Sequence, residues 1–105
     1  MNVAGTYLRI FKSKICNLGN QKQAIGYMEE DLEICRSLGD QHGECRVMGN
    51  LGNAHYTTQQ YDSALQYHKD QLLLATEIKS RKTAGMALGS LGHTYSAIGK
   101  GFDTT

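Results

Sequence analysis

Gly49-Asn50-Leu51-Gly52-Asn53-Ala54-His55 and Gly89-Ser90-Leu91-Gly92-His93-Thr94-Tyr95 are one pattern written twice, forty residues apart. Working outward at the same offset, residues 24–52 laid on 64–92 give six identities: Ala24/Ala64, Tyr27/Tyr67, Leu32/Leu72, Gly49/Gly89, Leu51/Leu91 and Gly52/Gly92. Ile25/Leu65, Ile34/Leu74, Leu38/Ile78 and Met48/Leu88 are conservative pairs. Matches at one fixed offset, concentrated at small and apolar positions, mark an internal repeat.

Each unit reads as two helices. Tyr61, Ala64, Leu65, His68, Leu72, Ala75 and Ile78 recur at spacings of three and four, one helical face and not a strand. Ala24, Ile25, Met28, Leu32, Cys35 and Leu38 form the matching stripe one unit earlier. Met48, Leu51, Gly52 and His55 form another, repeated by Leu88, Leu91, Gly92 and Tyr95. Gly19-Asn20 and Gly39-Asp40 read as a helix end followed by an N-cap, and Ser80 stands where Asp40 does. Gly99 reads as the last helix end, and the turn near Thr58–Gln60 has no strong signal. The expectation is an all-α chain of five helices, near 3–18, 21–38, 41–58, 61–79 and 81–98. They form a helical domain over 1–100, with a frayed tail at 101–105. The absence of proline agrees. A glycine inside a helix costs about 1 kcal/mol relative to alanine, so Gly52 and Gly92 predict close helix crossings, with Ala64 or Ala24 on the facing element.

This constellation resembles the tetratricopeptide repeat: Leu-Gly, an aromatic-type residue three positions on, then Ala in the second helix. Here it reads Leu51-Gly52, His55 and Ala64, then Leu91-Gly92 and Tyr95. The usual repeat has 34 residues and a proline near its end; this one has forty and none. The forty-residue form, with Gly39-Asp40 between units and Asn50-Leu51-Gly52-Asn53 in a first helix, is similar to repeats of the LGN-type spindle-orientation scaffolds. The resemblance covers about residues 17–100. Both ends depart from it. Asn2–Tyr7 looks like a first-helix motif but lies out of register, and Lys12 falls where the register calls for glycine. Gly101–Thr105 stops where a partner helix is due, which reads as a piece of a longer array.

The resemblance implies a helical-hairpin solenoid of about two and a half repeats that binds partner peptides on a concave face lined by first helices. Carried over residue by residue, the inward positions are Arg46, Asn50, Asn53, Tyr56 and Thr57, then Met86, Ser90, His93, Ser96 and Ala97. Arg46, Asn50, Asn53, Tyr56, Met86 and His93 are the expected groove contacts. An asparagine amide both donates and accepts, which suits a peptide backbone, and Arg46 suits a peptide carboxylate. The resemblance also implies cytoplasmic work, linked to the cytoskeleton or the dividing cell. The alternative is a spacer or self-assembling repeat without a ligand groove.

Catalysis finds little footing. His42 and Cys45 stand three apart with Cys35 ten residues before Cys45, but zinc needs about four ligands, usually in close pairs. Cys35 matches Ala75 and Cys45 matches Gly85, which marks them as small packing residues. Three cysteines, with no basic and then apolar leader in Met1–Ile10, point to a reducing compartment. His55 matches Tyr95 and His68 matches Met28, again packing positions. Glu29, Glu30 and Asp31 point in different directions around a helix, with Glu33 one turn from Glu29; the run reads as a solvated face, with an acidic docking patch as the alternative. Gly49–Gly52 lies mid-helix, where the amides are already bonded and cannot cradle phosphate. Eleven basic against ten acidic residues leave a charge of +1, poorly suited to neutralising nucleic-acid phosphates. No run approaches ~20 apolar residues, so no membrane span is expected. No enzyme activity, cofactor or metal is expected. The partner is a protein or peptide, with a homo-oligomer through exposed end helices as a further expectation.

Overall fold

Three left-handed residues set the layout. Gly39 (φ 71°), Gln59 (φ 64°) and Lys79 (φ 60°) recur every twenty residues, one at each turn between helices. At each turn the same two backbone bonds close the preceding helix. Gly39 N–H donates to Arg36 O and Asp40 N–H to Cys35 O; Gln59 and Gln60 donate to Tyr56 and His55; Lys79 and Ser80 donate to Thr76 and Ala75. This is the Schellman arrangement, which satisfies carbonyls that a helix end otherwise leaves orphaned. Glycine at the first turn was legible in advance. Gln59 and Lys79 adopt a conformation that side chains disfavour, so neither residue type announced its left-handed position, and only Ser80 marked the turn after Lys79.

The computed structural model describes the backbone of residues 17–103 and the side-chain surroundings of residues 20–99. Among these residues it has four helices: α1 (Asn17–Leu38), α2 (Gln41–Thr57), α3 (Tyr61–Glu77) and α4 (Arg81–Asp103). The expected helix at 3–18, with Lys12, lies almost wholly outside the described residues. Two expected ends move. Gly19 and Asn20 sit within helical backbone, and the last helix runs through Gly99 to Asp103. Neither glycine takes the left-handed conformation that ends a helix, and without it a glycine only weakens one. Two of the expected caps are present. Gly43 N–H donates to Asp40 Oδ1 at 3.0 Å, and Thr83 N–H to Ser80 Oγ at 3.4 Å. The N-cap position of α3, Gln60, makes no side-chain cap bond.

Each helix packs against its sequence neighbours, and α2 also touches α4 across α3. The core is small. Leu32 and Cys35 of α1 meet Val47, Met48 and Leu51 of α2, flanked by Ile25, Met28, Tyr67 and Leu74. Arg36 and Glu44 join α1 to α2 in an ion pair of 3.0 Å, exposed enough to be worth well under about 1 kcal/mol.

The predicted glycine crossings divide. A Cβ at Gly52 would lie 2.5 Å from His68 Cε1 and Nε2, and one at Gly49 would collide with the Gln71 amide. The crossing at Gly52 is therefore real, and the nearest atoms across it belong to the His68 ring. Among the described residues a Cβ at Gly92 would meet nothing within 4 Å, so none of them forms the expected crossing there. Leu91, by contrast, is buried against α3 with Ala87 and Thr94, while Leu88 and Tyr95 remain exposed.

The two equivalent glycines should respond to alanine with opposite signs. Gly52→Ala should destabilise by about 1–3 kcal/mol through overpacking on a ring that has nowhere to go. Gly92→Ala, in dilute solution, should stabilise by up to about 1 kcal/mol through helix propensity. Chemical denaturation of both variants checks the pair. At the turns, Lys79→Gly should raise the thermal midpoint by relieving the left-handed strain, and Gly39→Ala should lower it.

Candidate functional site

A groove runs between α2 and α4, with α3 as its floor. It holds two adjoining cavities. The larger, about 480 Å3, is walled by Asn53, Tyr56, Met86, Ser90 and His93 with His68 beneath. The smaller, about 170 Å3, is walled by His42, Arg46, Asn50, Asn53, Thr83 and Met86 over Gln71. All six expected groove contacts, Arg46, Asn50, Asn53, Tyr56, Met86 and His93, line one cavity or both. Ser90 joins both. Thr57, Ser96 and Ala97 line neither. Thr57 instead turns its hydroxyl back to the Asn53 carbonyl at 3.0 Å.

Helical spacing explains the convergence. Residues 42, 46, 49, 50 and 53 follow one stripe of α2, and 83, 86, 90 and 93 follow one stripe of α4. Placed on either side of α3, the two stripes face a common channel. Tyr56 helps close one end: its ring lies 6.0 Å from His93 and 5.5 Å, edge-on, from Tyr61. Met86 is 60% exposed, an unbranched apolar side chain free to change shape against a ligand.

The floor was not legible as part of a site. His68 reads as a packing residue and Gln71 drew no reading; both are buried on α3. Their polar atoms form a relay. Gln71 Nε2 donates to the Cys45 carbonyl at 3.1 Å, which leaves Gln71 Oε1 to accept from His68 Nδ1 at 3.3 Å. Assigning the amide this way makes His68 Nδ1 the donor. Burial pushes the His68 pKa below its ordinary value, and the bond to Gln71 opposes this only in part. The Cys45 thiol points at the Gln71 carbonyl from 3.9 Å, so α2 and α3 exchange contacts in both directions. One signal for the floor was present: polar His and Gln, three apart, on an otherwise apolar stripe.

Cys35 and Cys45 are buried and unpaired, and desolvation raises both thiol pKa values, aided by Asp31 and Asp40 at Cys35 and by Glu44 at Cys45. A buried, protonated thiol is a poor nucleophile and a poor ligand. Cys16 lies outside the described residues. Among the described residues no three His, Cys, Asp or Glu side chains converge as a metal site, and no helix is long and apolar enough to cross a membrane.

The family model for the tetratricopeptide repeat matches residues 15–72, more than half of the chain. The chain belongs to the tetratricopeptide repeat family. Tetratricopeptide repeat protein 28 of Homo sapiens is 44% identical over 52 residues, 50% of this chain and 2% of the relative. G-protein-signaling modulator 1 of Homo sapiens is 36% identical over 87 residues, 83% of this chain and 13% of the relative. The Rattus norvegicus form of that protein is 36% identical over 78 residues. The chain thus spans a small part of the length of the relatives it matches. This membership accounts for the alternating helices and the Leu-Gly phrase. The forty-residue spacing and the His68–Gln71 floor are read from the chain itself.

The relay should make stability depend on acid. The unfolded state binds a proton on residue 68 near its ordinary pKa of 6.5, whereas the fold resists it. The contribution is therefore complete above about pH 6.5 and is lost as pH falls toward the lowered folded value. The thermal midpoint should drop between pH 7 and pH 5. His68→Met, the residue found at the repeat-equivalent position 28, should flatten that dependence, as scanning calorimetry across the range would record.

Proposed function

We propose that this chain is a non-catalytic protein-interaction module that holds an extended segment of a partner protein in the groove between α2 and α4. The observation that carries the reading is the lining. Side chains from two separate helices converge on one channel, and among the described residues lining it there is no carboxylate. What they offer is amides at Asn50 and Asn53, hydroxyls at Thr83 and Ser90, imidazoles at His42 and His93, and one guanidinium at Arg46. Amides bond a peptide backbone in either sense, and Arg46 receives a carboxylate side chain bidentately. Tyr56 and Met86 supply apolar contact between these polar points.

Membership of a repeat family supports this class of function, and the protonated, buried thiols argue against nucleophilic chemistry at Cys35 and Cys45. Unpaired cysteines also suit a reducing compartment, so the place of action in this reading is the cytoplasm, with cytoskeletal or cell-division work as its finer form. Signalling by G proteins is in the printed name of one relative and comes to this chain only as part of the same proposal.

The test is a peptide selected from a display library against the folded chain, then titrated by fluorescence anisotropy. Asn53→Ala/His93→Ala should weaken binding at least tenfold, about 1.4 kcal/mol, with helicity unchanged. Lys69→Ala, an exposed position outside the groove, should leave affinity as it was. Selected peptides that bind both variants equally would place recognition elsewhere and overturn the reading.

A further inference from the structure

The two cavities of the groove differ in chemistry. The larger, about 480 Å3, takes its apolar surface from the rings of Tyr56 and His93 and the flexible side chain of Met86. A cavity of about 150 Å3 already holds a benzene-sized molecule, so this one has room for the largest apolar side chains. The smaller, about 170 Å3, is lined by Arg46, His42, Asn50 and Thr83, which bring a guanidinium, an imidazole, an amide and a hydroxyl. Among the described residues lining either cavity, no carboxylate stands beside Arg46 to neutralise it.

Their order along the groove sets a distance. On α2 the smaller cavity is lined by residues from His42 to Asn53, and the larger by Asn53 and Tyr56. On α4 the smaller is lined from Thr83 to Ser90, and the larger from Met86 to Thr94. Both helices therefore run the same way along the channel. Passing from one cavity to the next takes about four to six residues on each helix, roughly 6–10 Å at about 1.5 Å per residue. Side chains on one face of an extended strand recur at every second residue, about 6.6 Å apart. On one face of a polyproline II helix they recur at every third, about 9.3 Å apart. Neighbouring residues of a strand point to opposite faces, so they cannot fill both cavities.

We propose that the partner segment is read by a pair of its side chains two or three positions apart, a large apolar one in the larger cavity and a carboxylate in the smaller. This rests on the groove reading above and adds the apolar anchor and the spacing. Met86, Asn53 and Ser90 line both cavities and so lie beside the stretch of segment that joins the pair. Met86 covers the anchor, while the Asn53 amide and the Ser90 hydroxyl pair with the backbone between the two side chains. A lysine or arginine in the smaller cavity would face Arg46, and like charge excludes it. A charged side chain in the larger cavity would lose water against Tyr56 and Met86 with no counter-charge to meet it.

A phage-displayed library of random dodecapeptides, selected on the folded chain and sequenced, tests the pairing. Enriched peptides should share a phenylalanine, tryptophan, leucine or methionine two or three positions from an aspartate or glutamate. In fluorescence anisotropy the most enriched peptide should lose at least tenfold in affinity when either residue is replaced by alanine. Arg46 is exposed, so Arg46→Glu should fold, as far-ultraviolet circular dichroism would check. Selection on that variant should trade the acidic residue for lysine or arginine and keep the apolar residue at the same spacing. His93→Ala should shrink the loss caused by replacing the apolar residue and leave the acidic one's loss unchanged. Peptides that lose affinity for Asn53→Ala/His93→Ala, yet share no such pair or share it at another spacing, would overturn this inference alone. Peptides indifferent to that double variant would overturn it together with the groove reading. Self-association of the wild-type chain that Arg46→Glu abolishes would put a second copy in the groove, and would overturn it as well.

Discussion

The packing of His68 and Gln71 into the gap left by Gly49 and Gly52 is the contact on which the rest depends. Two side chains of α3 occupy space that any other residue on α2 would fill. The approach lets α3 lie close under α2, buries Leu51 and Ala64 completely, and brings α4 near enough to α2 for a channel to exist between them. Close approach alone would bury polar atoms at a cost of a few kcal/mol. The bonds from His68 to Gln71 and from Gln71 to the Cys45 carbonyl offset that cost. They also orient the imidazole with its Nδ1 side committed to Gln71. The same residues that hold the helices together therefore form the polar floor of the groove.

Much of this was legible because helical spacing is local. The stripes through Met48 and Leu51, or through Ala64 and Ala75, follow from three- and four-residue periodicity, and the repeat doubled every observation. The groove residues were legible for the same reason: once alternate helices share a face, Arg46, Asn50 and Asn53 must line up with Met86 and His93. What escaped was whatever a single helix cannot specify. Gly52 and Gly92 are identical in sequence context, yet a ring fills the space beside one and no described residue stands beside the other. The difference lies in the neighbouring helix and not in the glycine. Leu88, Leu91 and Tyr95 read as one stripe, yet Leu91 is buried while Leu88 and Tyr95 are exposed, because the stripe is wide enough for its two edges to meet different surroundings.

Turn chemistry was the other blind spot. Gly39 advertises a left-handed residue, whereas Gln59 and Lys79 adopt the same φ without any advantage of residue type. Tertiary packing of the flanking helices holds them there against local preference, a cost on the order of 1–2 kcal/mol each. Conversely, Gly19 and Gly99 advertise helix ends that do not occur. A glycine permits a left-handed turn, but the chain takes it only where the next helix has a surface to return to.

The identical turns at twenty-residue intervals have a kinetic meaning. Each helix finds its packing partner within a few tens of residues, so the entropy of loop closure is small and recurs unchanged along the chain. A protein of this kind can begin to order at any hairpin and grow by adding the next helix, as a zipper closes from any tooth. The hairpin of α2 and α3 is the natural starting point, since its aromatic stack of Tyr67 on His55 and its glycine gap both lie within residues 49–71. Order then spreads outward, and the amides of that central pair become the last to exchange with solvent.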